Sequence, residues 1–225
     1  MSAVQPLLPM FLKVAGKRAV VVGAGPIGLH KAADLAAAGA CVTVIALSFS
    51  DDVALGGQLA SIERVQRAFA PGDTKGAFVV FAATGVVDVD DAVSADARDH
   101  GALVNVVDRA DASDFYSGAV VRRGPLTVVV GTSGASPALA RKVRERIEQL
   151  LPPTLGVLAE VLGEARPKLL ARFPNFGERA RVLDTFVERA WFRFVTGPTP
   201  PQSFASGDDV KSQIARAVEE ELLCT

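Results

Sequence analysis

The sequence predicts an α/β fold, a parallel sheet wound on both faces by helices, and three observations predict it. A short β-branched run, Arg18-Ala19-Val20-Val21-Val22, enters Gly23-Ala24-Gly25-Pro26-Ile27-Gly28, and a segment with helical patterning leaves it. Apolar runs and helical patterns then alternate as far as residue 107, which is the order of a parallel, doubly wound sheet. One of those runs, AFVVFAA at residues 77–83, is apolar throughout, as a strand covered on both faces must be.

Taken in order, residues 17–46 read as a β-α-β unit. Its helix covers residues 27–38 and stops at Gly39, a favourable C-cap, and residues 41–45 (CVTVI) form its second strand. Residues 59–67 read as a third, weaker strand or a mixed segment. The buried strand at 77–83 follows, then a helix over 87–100 ended by Gly101, then a strand over 103–107 that closes on Asp108. After about residue 113 the pattern changes. Residues 119–121 and 126–130 read as two strands joined by the tight turn Arg122-Arg123-Gly124-Pro125. A small-residue loop, Gly131-Thr132-Ser133-Gly134-Ala135, leads to Ser136 as N-cap with Pro137 at N1, where its missing N–H costs nothing. That helix runs to about residue 151 and ends at Pro152-Pro153. Helical segments follow near 155–164, 168–172, 178–194 and 208–223, with 197–207 (GPTPPQSFASG) as a linker. The chain thus divides into an α/β domain over 1–113, a connecting module over 114–150 and a small helical domain over 151–225.

The 225 residues suit one large or two small domains, and 49% apolar residues are ample for a core. A net charge of −1 gives no general attraction to nucleic acid or to a membrane surface. No apolar stretch reaches the length of a membrane span, and residues 1–12 lack the features of a secretory signal. Cys41 and Cys224 are the only cysteines, which argues against a disulfide scaffold and fits a cytoplasmic protein.

The glycine turn carries the clearest chemistry. Gly23 makes the tight turn, Gly25 leaves nothing between backbone and pyrophosphate, and Gly28 lets the helix pack on the strand. The helix N-terminus then offers N–H groups to the anion. Dinucleotide sites of this Rossmann type usually place an acidic residue about 20 positions later for the ribose. Here the segment is Ile45-Ala46-Leu47-Ser48, with no carboxylate before Asp51. Either the site is degenerate or the backbone around Leu47 and the Ser48 hydroxyl hold the ribose, and a 2′-phosphate is not excluded. A Tyr-x-x-x-Lys reductase is excluded, because the only tyrosine is Tyr116 and residue 120 is valine. His30 and His100 have no partners at metal-ligand spacing, so no metal centre is expected; His100 reads as a helix-end cap.

Asp108 ends a strand at the carboxyl edge of the sheet, where ligands bind in this architecture, and Thr84-Gly85 ends the neighbouring strand on the same edge. An arbitrary aspartate there is more often a turn-former. The loop over 131–136 has the composition of an anion site at a helix N-terminus, or of an ordinary cap. Arg141, Lys142, Arg144 and Arg146 follow it, and Arg122-Arg123 precede it; a basic face is usually solvated, but beside an anion-binding loop it can receive a polycarboxylate.

Together these residues resemble a known family. Leu8-Pro9-Met10-Phe11-Leu12, the glycine turn followed by Lys31-Ala32, Ala82-Ala83-Thr84, Asn105-Val106-Val107-Asp108, Phe115, Gly124-Pro125-Leu126, Ser133-Gly134-Ala135-Ser136-Pro137 and Gly177-Glu178-Arg179 are similar in order and spacing to the precorrin-2 dehydrogenase/sirohydrochlorin ferrochelatase module of sirohaem synthase. The resemblance covers nearly the whole chain. It implies that NAD+ accepts a hydride from precorrin-2 to give sirohydrochlorin. It also implies that some members insert Fe2+ (or Co2+), with one aspartate, at Asp108, serving both steps. It implies cofactor contacts at Pro26, Ile27, Leu47 and Ser48, which join Gly23, Gly25 and Gly28 of the turn and Thr84 of the sheet edge as candidate cofactor residues, recognition of the ribose through the 47–48 segment, and a homodimer formed through residues 114–150. The substrate's eight carboxylates make Arg122, Arg123, Thr132, Ser133, Ser136 and Arg141 candidate binders. Three departures stand out. Phe115-Tyr116-Ser117-Gly118 replaces the usual Phe-x-x-Pro, Thr132 stands where some members carry a phosphorylatable serine, and these 225 residues do not include the methyltransferase domain of the fused synthase. Two other readings compete: an NAD-sensing regulatory module without catalysis, and a chelatase that works without NAD.

Overall fold

The computed structural model describes residues 7–49, 61–196 and 207–223; the linker at 197–206, Asp51 and Cys224 lie outside them. The chain forms two compact units, Met1–Ser117 and Gly118–Thr225. The first holds β1 (Arg18–Val22), α1 (Pro26–Ala37), β2 (Cys41–Ala46), β3 (Glu63–Gln66), β4 (Val79–Ala82), α2 (Val87–Asp99) and β5 (Leu103–Val106). All five strands are parallel, in the order β3-β2-β1-β4-β5. Their alternation sorts the core into two clusters. Ala19 and Val21 of β1, Val42 and Val44 of β2 and Phe81 of β4 pack with Leu29, Ala32 and Ala33 of α1. Val20, Val22, Ile45, Val80 and Val104, on the opposite face, pack with Val93 and Ala97 of α2. The sheet is therefore wound on both sides, as expected. The weak third strand narrows to Glu63–Gln66, an exposed edge with three polar residues of four; pairing with β2 rather than an apolar pattern makes it a strand.

Edge strand β5 is covered by its own continuation. The Asp114 N–H donates to the Val104 carbonyl (2.8 Å), and the Asp114 carboxylate accepts from the Val104 N–H (2.9 Å). The Ser113 hydroxyl accepts from the Val106 N–H (2.9 Å). The Asn105 amide donates to the Phe115 carbonyl (2.7 Å), and the Phe115 ring meets Phe81 edge-on.

The second unit opens with the antiparallel hairpin β6 (Ala119–Arg123) and β7 (Leu126–Val130), followed by α3 (Pro137–Leu150), α4 (Thr154–Arg172), α5 (Phe176–Trp191) and α6 (Gly207–Val218). Residues 192–196 and 219–223 extend α5 and α6 as π-helical turns. The sequence predicts two short segments where α4 runs unbroken through Pro167. The reason is burial: Leu158, Val161, Ala165 and Leu169 form one continuous face against Phe186, Ile214 and Val218, which outweighs the loss of one helical hydrogen bond. A Cβ at Gly156 of α4 would strike the Arg123 carbonyl and the Gly124 nitrogen, so that glycine lets α4 lie on the β6–β7 turn.

Candidate functional site

In the first unit the loops after β1, β2, β4 and β5 all leave the carboxyl edge, and the chain reverses its winding between β1 and β4. That switch point is where a ligand crevice opens in such sheets. The three glycines around it do different work. Gly23 has φ +106°, and a Cβ there would strike the Ala83 carbonyl and the Thr84 nitrogen; only glycine lets the β1 turn lie against the end of β4. A Cβ at Gly28 would strike the Gly23 carbonyl, so glycine sets the first turn of α1 on the loop below it. Gly25, the N-cap of α1, has ordinary extended backbone (φ −72°, ψ 175°) and open space where a Cβ would be. Nothing in the fold requires glycine there, whereas a pyrophosphate approaching the backbone does.

The electrostatics agree. α1 has no side-chain cap and no acidic residue in its first turn, with Pro26 at its start, so its N-terminal N–H groups are open to an anion. α2 starts on the same edge, but its first turn carries Asp88 and Asp90, which already complement the helix dipole. Ile27, Leu47, Val86 and Val87 are exposed along this edge. Ser48 is exposed as well. The two arginines of the neighbouring β3 segment differ. Arg67 forms a two-pronged ion pair with Asp73 (2.7 Å for each bond), and Arg64 lies over the Phe49 ring.

The loop after β4 is fixed by a residue the sequence reading passed over. Asp90 is 4% exposed, and its Oδ1 accepts from the Thr84 N–H (3.1 Å) and the Thr84 hydroxyl (2.7 Å). The Thr84 oxygen in turn accepts from the Val86 N–H (3.1 Å). Only the three-dimensional turn of α2 brings residues 84 and 90 together.

Asp108 lies in the turn after β5, exposed, with φ +61°. The Arg109 N–H closes that turn on the Val106 carbonyl (3.1 Å), and the Ser113 hydroxyl donates to the Arg109 carbonyl (2.8 Å). The Arg109 guanidinium pairs with Asp91 of α2 (2.6 Å), and that hydrogen bond holds it above its ordinary pKa. A left-handed non-glycine residue is strained by about 1–3 kcal/mol, and such strain clusters at functional positions. Here the contacts on either side of Asp108 hold it.

In the second unit, Thr132-Ser133-Gly134-Ala135 is a tight turn with Ser133 at φ +51° and Gly134 at φ +81°, closed by the Ala135 N–H on the Thr132 carbonyl (2.9 Å). The Thr132 hydroxyl accepts from the Ser136 N–H (3.1 Å), and the Ser136 hydroxyl caps α3 by accepting from the Leu139 N–H (3.2 Å). The basic residues divide. Arg123 donates to the Leu151 and Glu148 carbonyls (2.8 and 3.1 Å), capping the end of α3. Lys142 and Arg144 pair with Glu145 and Glu148. Arg141 and Arg122 are exposed. The structure thus brings the predicted cofactor residues and Asp108 to one edge of the first unit, and groups Thr132, Ser133, Ser136 and Arg141 at the start of α3 in the second. Among the described residues no group of three or more His, Cys, Asp or Glu side chains could hold a metal ion. No described helix is long and apolar enough to cross a membrane.

Residues 10–119 match a family described as "Putative NAD(P)-binding", and residues 123–150 match the sirohaem biosynthesis protein central family. A siroheme synthase of Chromobacterium violaceum is 39% identical over 180 residues, 80% of this chain and 38% of that protein. Siroheme synthase 1 of Pectobacterium atrosepticum is 32% identical over 217 residues, 96% of this chain and 44% of that protein. The chain therefore spans about two fifths of the length of these curated relatives. Among solved structures, one titled "SirC, precorrin-2 dehydrogenase" superposes with a TM-score of 0.68 at 20% identity, covering 93% of this chain and all of that one, and shares its fold. An NAD(P)-binding match followed in order by a sirohaem biosynthesis central match makes this chain similar, over most of its length, to the corresponding part of the siroheme synthases.

Proposed function

We propose that this chain oxidises precorrin-2 to sirohydrochlorin with NAD+, and that Asp108 is its catalytic base. The observation that carries the reading is the exposed, strained Asp108 on the same sheet edge as the open Gly25 turn. Bound at that turn, NAD+ would supply the hydride acceptor. Precorrin-2 loses that hydride and one proton, and the proton goes to the Asp108 carboxylate, which a fixed turn holds toward solvent with no other task. Pro26, Ile27, Gly28 and the α1 N-terminus hold the pyrophosphate, and Leu47 and Ser48 hold the adenosine ribose. The ion pair of Arg67 with Asp73 takes one nearby cation away from a 2′-phosphate. In the second unit, Thr132, Ser133, Ser136 and Arg141 at the N-terminus of α3 form a carboxylate-binding surface of their own, while Arg123 holds the opposite end of α3 and Arg122 precedes it on β6.

The same carboxylate relieves pyrrole nitrogens of protons when Fe2+ or Co2+, as substrate, enters sirohydrochlorin. Residues 114–150 act as a dimerisation module ahead of a helical domain at 151–225, giving a homodimer in solution at twice the mass of one chain. The reaction is assigned to the cytoplasm.

Anaerobic incubation with precorrin-2 and NAD+ tests the central claim: sirohydrochlorin absorbance and NADH appear together, and Asp108→Ala abolishes both. Normal turnover by that variant removes Asp108 from the mechanism. Adding Fe2+ or Co2+ afterwards tests chelation by the change to a metallated spectrum, and light scattering tests the dimer.

A further inference from the structure

A threonine hydroxyl has one proton to donate and two lone pairs to accept with. At Thr84 most of that capacity is committed. The proton has two acceptors within reach, Asp90 Oδ1 at 2.7 Å and the Val86 carbonyl at 3.4 Å; the shorter bond, to a carboxylate, is the stronger. One lone pair accepts the Val86 N–H at 3.1 Å. One lone pair remains, on a half-buried residue whose backbone nitrogen abuts Gly23 at the switch point. Thr84 follows β4, on the far side of β1 from β2, where Leu47 and Ser48 stand. With the pyrophosphate at Gly25, the adenosine half lies toward β2 and the nicotinamide half toward β4.

We infer that Thr84 faces the nicotinamide half of the dinucleotide as a hydrogen-bond acceptor only, and that buried Asp90 is a positioning residue that fixes it in that role. The donor it takes is an N–H or O–H of that half, from the carboxamide or from the adjoining ribose. Asp90 itself touches no ligand. Its two bonds to residue 84 hold the loop and orient the hydroxyl proton away from the crevice. The inference rests on the dinucleotide lying at the glycine turn.

Calorimetric titration with NAD+, ADP-ribose and ADP tests it without turnover. Thr84→Val weakens NAD+ by about tenfold, the size of one lost hydrogen bond, and leaves ADP unchanged, while Thr84→Ser stays near the parent. Asp90→Ala weakens NAD+ to a similar degree, and Asp90→Asn, whose amide oxygen still accepts the threonine proton, restores most of it. If ADP-ribose weakens along with NAD+ in Thr84→Val, the donor is the ribose; if ADP-ribose is unchanged, it is the carboxamide. Equal loss for ADP and NAD+, or no loss for either, overturns the inference. An unaltered chain that binds neither NAD+ nor ADP overturns instead the placement of the dinucleotide at the turn.

Discussion

Gly25 and Gly28 lie three residues apart in one motif, yet the structure assigns them opposite sensitivities. Gly25→Ala places a methyl group in open space on extended backbone. It adds no steric strain to the native state; narrowing the unfolded ensemble favours the variant by about 0.4–1 kcal/mol, and alanine's poorer capping at this N-cap opposes it by a similar amount. With the dinucleotide at the glycine turn as proposed, the same methyl stands where phosphate oxygens would meet the α1 N-terminus. Losing two charge-assisted hydrogen bonds, at about 1.5 kcal/mol each, weakens NAD+ on the order of a hundredfold. Gly28→Ala instead drives its methyl into the Gly23 carbonyl, which is backbone and cannot swing aside; overpacking of this kind costs about 1–3 kcal/mol. Thermal melts with and without ligand separate the two. With NAD+ at about one hundred times the parent Kd, the ligand contributes about 2.7 kcal/mol to the parent. It contributes only about 0.4 kcal/mol to Gly25→Ala, for which the same concentration is about one Kd. At about 2–4 °C per kcal/mol for a chain of this size, the parent gains about 5–11 °C and Gly25→Ala gains about 1–2 °C, while without ligand Gly25→Ala melts near the parent. Gly28→Ala melts at least about 2 °C lower without ligand. A full NAD+ shift in Gly25→Ala, or a ligand-free melt as low as that of Gly28→Ala, refutes the division of labour.

Asp96 accepts from the Gly72 N–H (2.7 Å), the Thr74 N–H (3.1 Å) and the Thr74 hydroxyl. Burial pushes its carboxyl up, but those three bonds outweigh burial and hold it below the ordinary range. Its stabilisation is therefore full above about pH 4 and is lost as the pH falls through its lowered native value. Asp96→Ala costs about 3 kcal/mol at pH 7, and in urea melts the gap to the parent closes as the pH falls below that range. Arg109→Ala removes a surface ion pair of little worth to stability, so the melt barely moves; in the precorrin-2 assay kcat falls as the Asp108 turn loosens, while the Kd for NAD+ is unchanged. Arg123→Ala frees the end of α3 and lowers stability by about 2 kcal/mol in denaturant titration; an unchanged midpoint refutes its capping role.

The chemistry of the glycine turn was legible because it depends on residues adjacent in sequence: β-branched residues before three glycines, a helix former after. The same holds for Ser136 and Pro137 at the start of α3. What escaped the sequence depends on partners that only folding brings together. Asp90 reads as one more carboxylate on an acidic helix until its bonds to Thr84 are seen, and Arg123 reads as a surface charge until Leu151 comes within 2.8 Å. The strand Glu63–Gln66 has no apolar pattern because it lies at an edge with little to bury. Pro167 divides α4 on paper because local propensity cannot register the face formed by Val161, Ala165 and Leu169. Asp108 was identified as the end of a strand, but nothing in the string of letters announces its left-handed backbone.

The covering of β5 by residues 113–115 has a consequence for how copies of this chain can meet. A sheet recruits a foreign strand through unpaired N–H and C=O groups along its margin. On the β5 side, Asp114 and Ser113 already occupy the Val104 and Val106 amides; on the other side, β3 offers four residues, among them Glu63 and Arg64. Neither margin is a template for strand exchange or fibril growth, so concentrated preparations of the first unit resist cross-β aggregation despite a sheet built largely of valine and alanine.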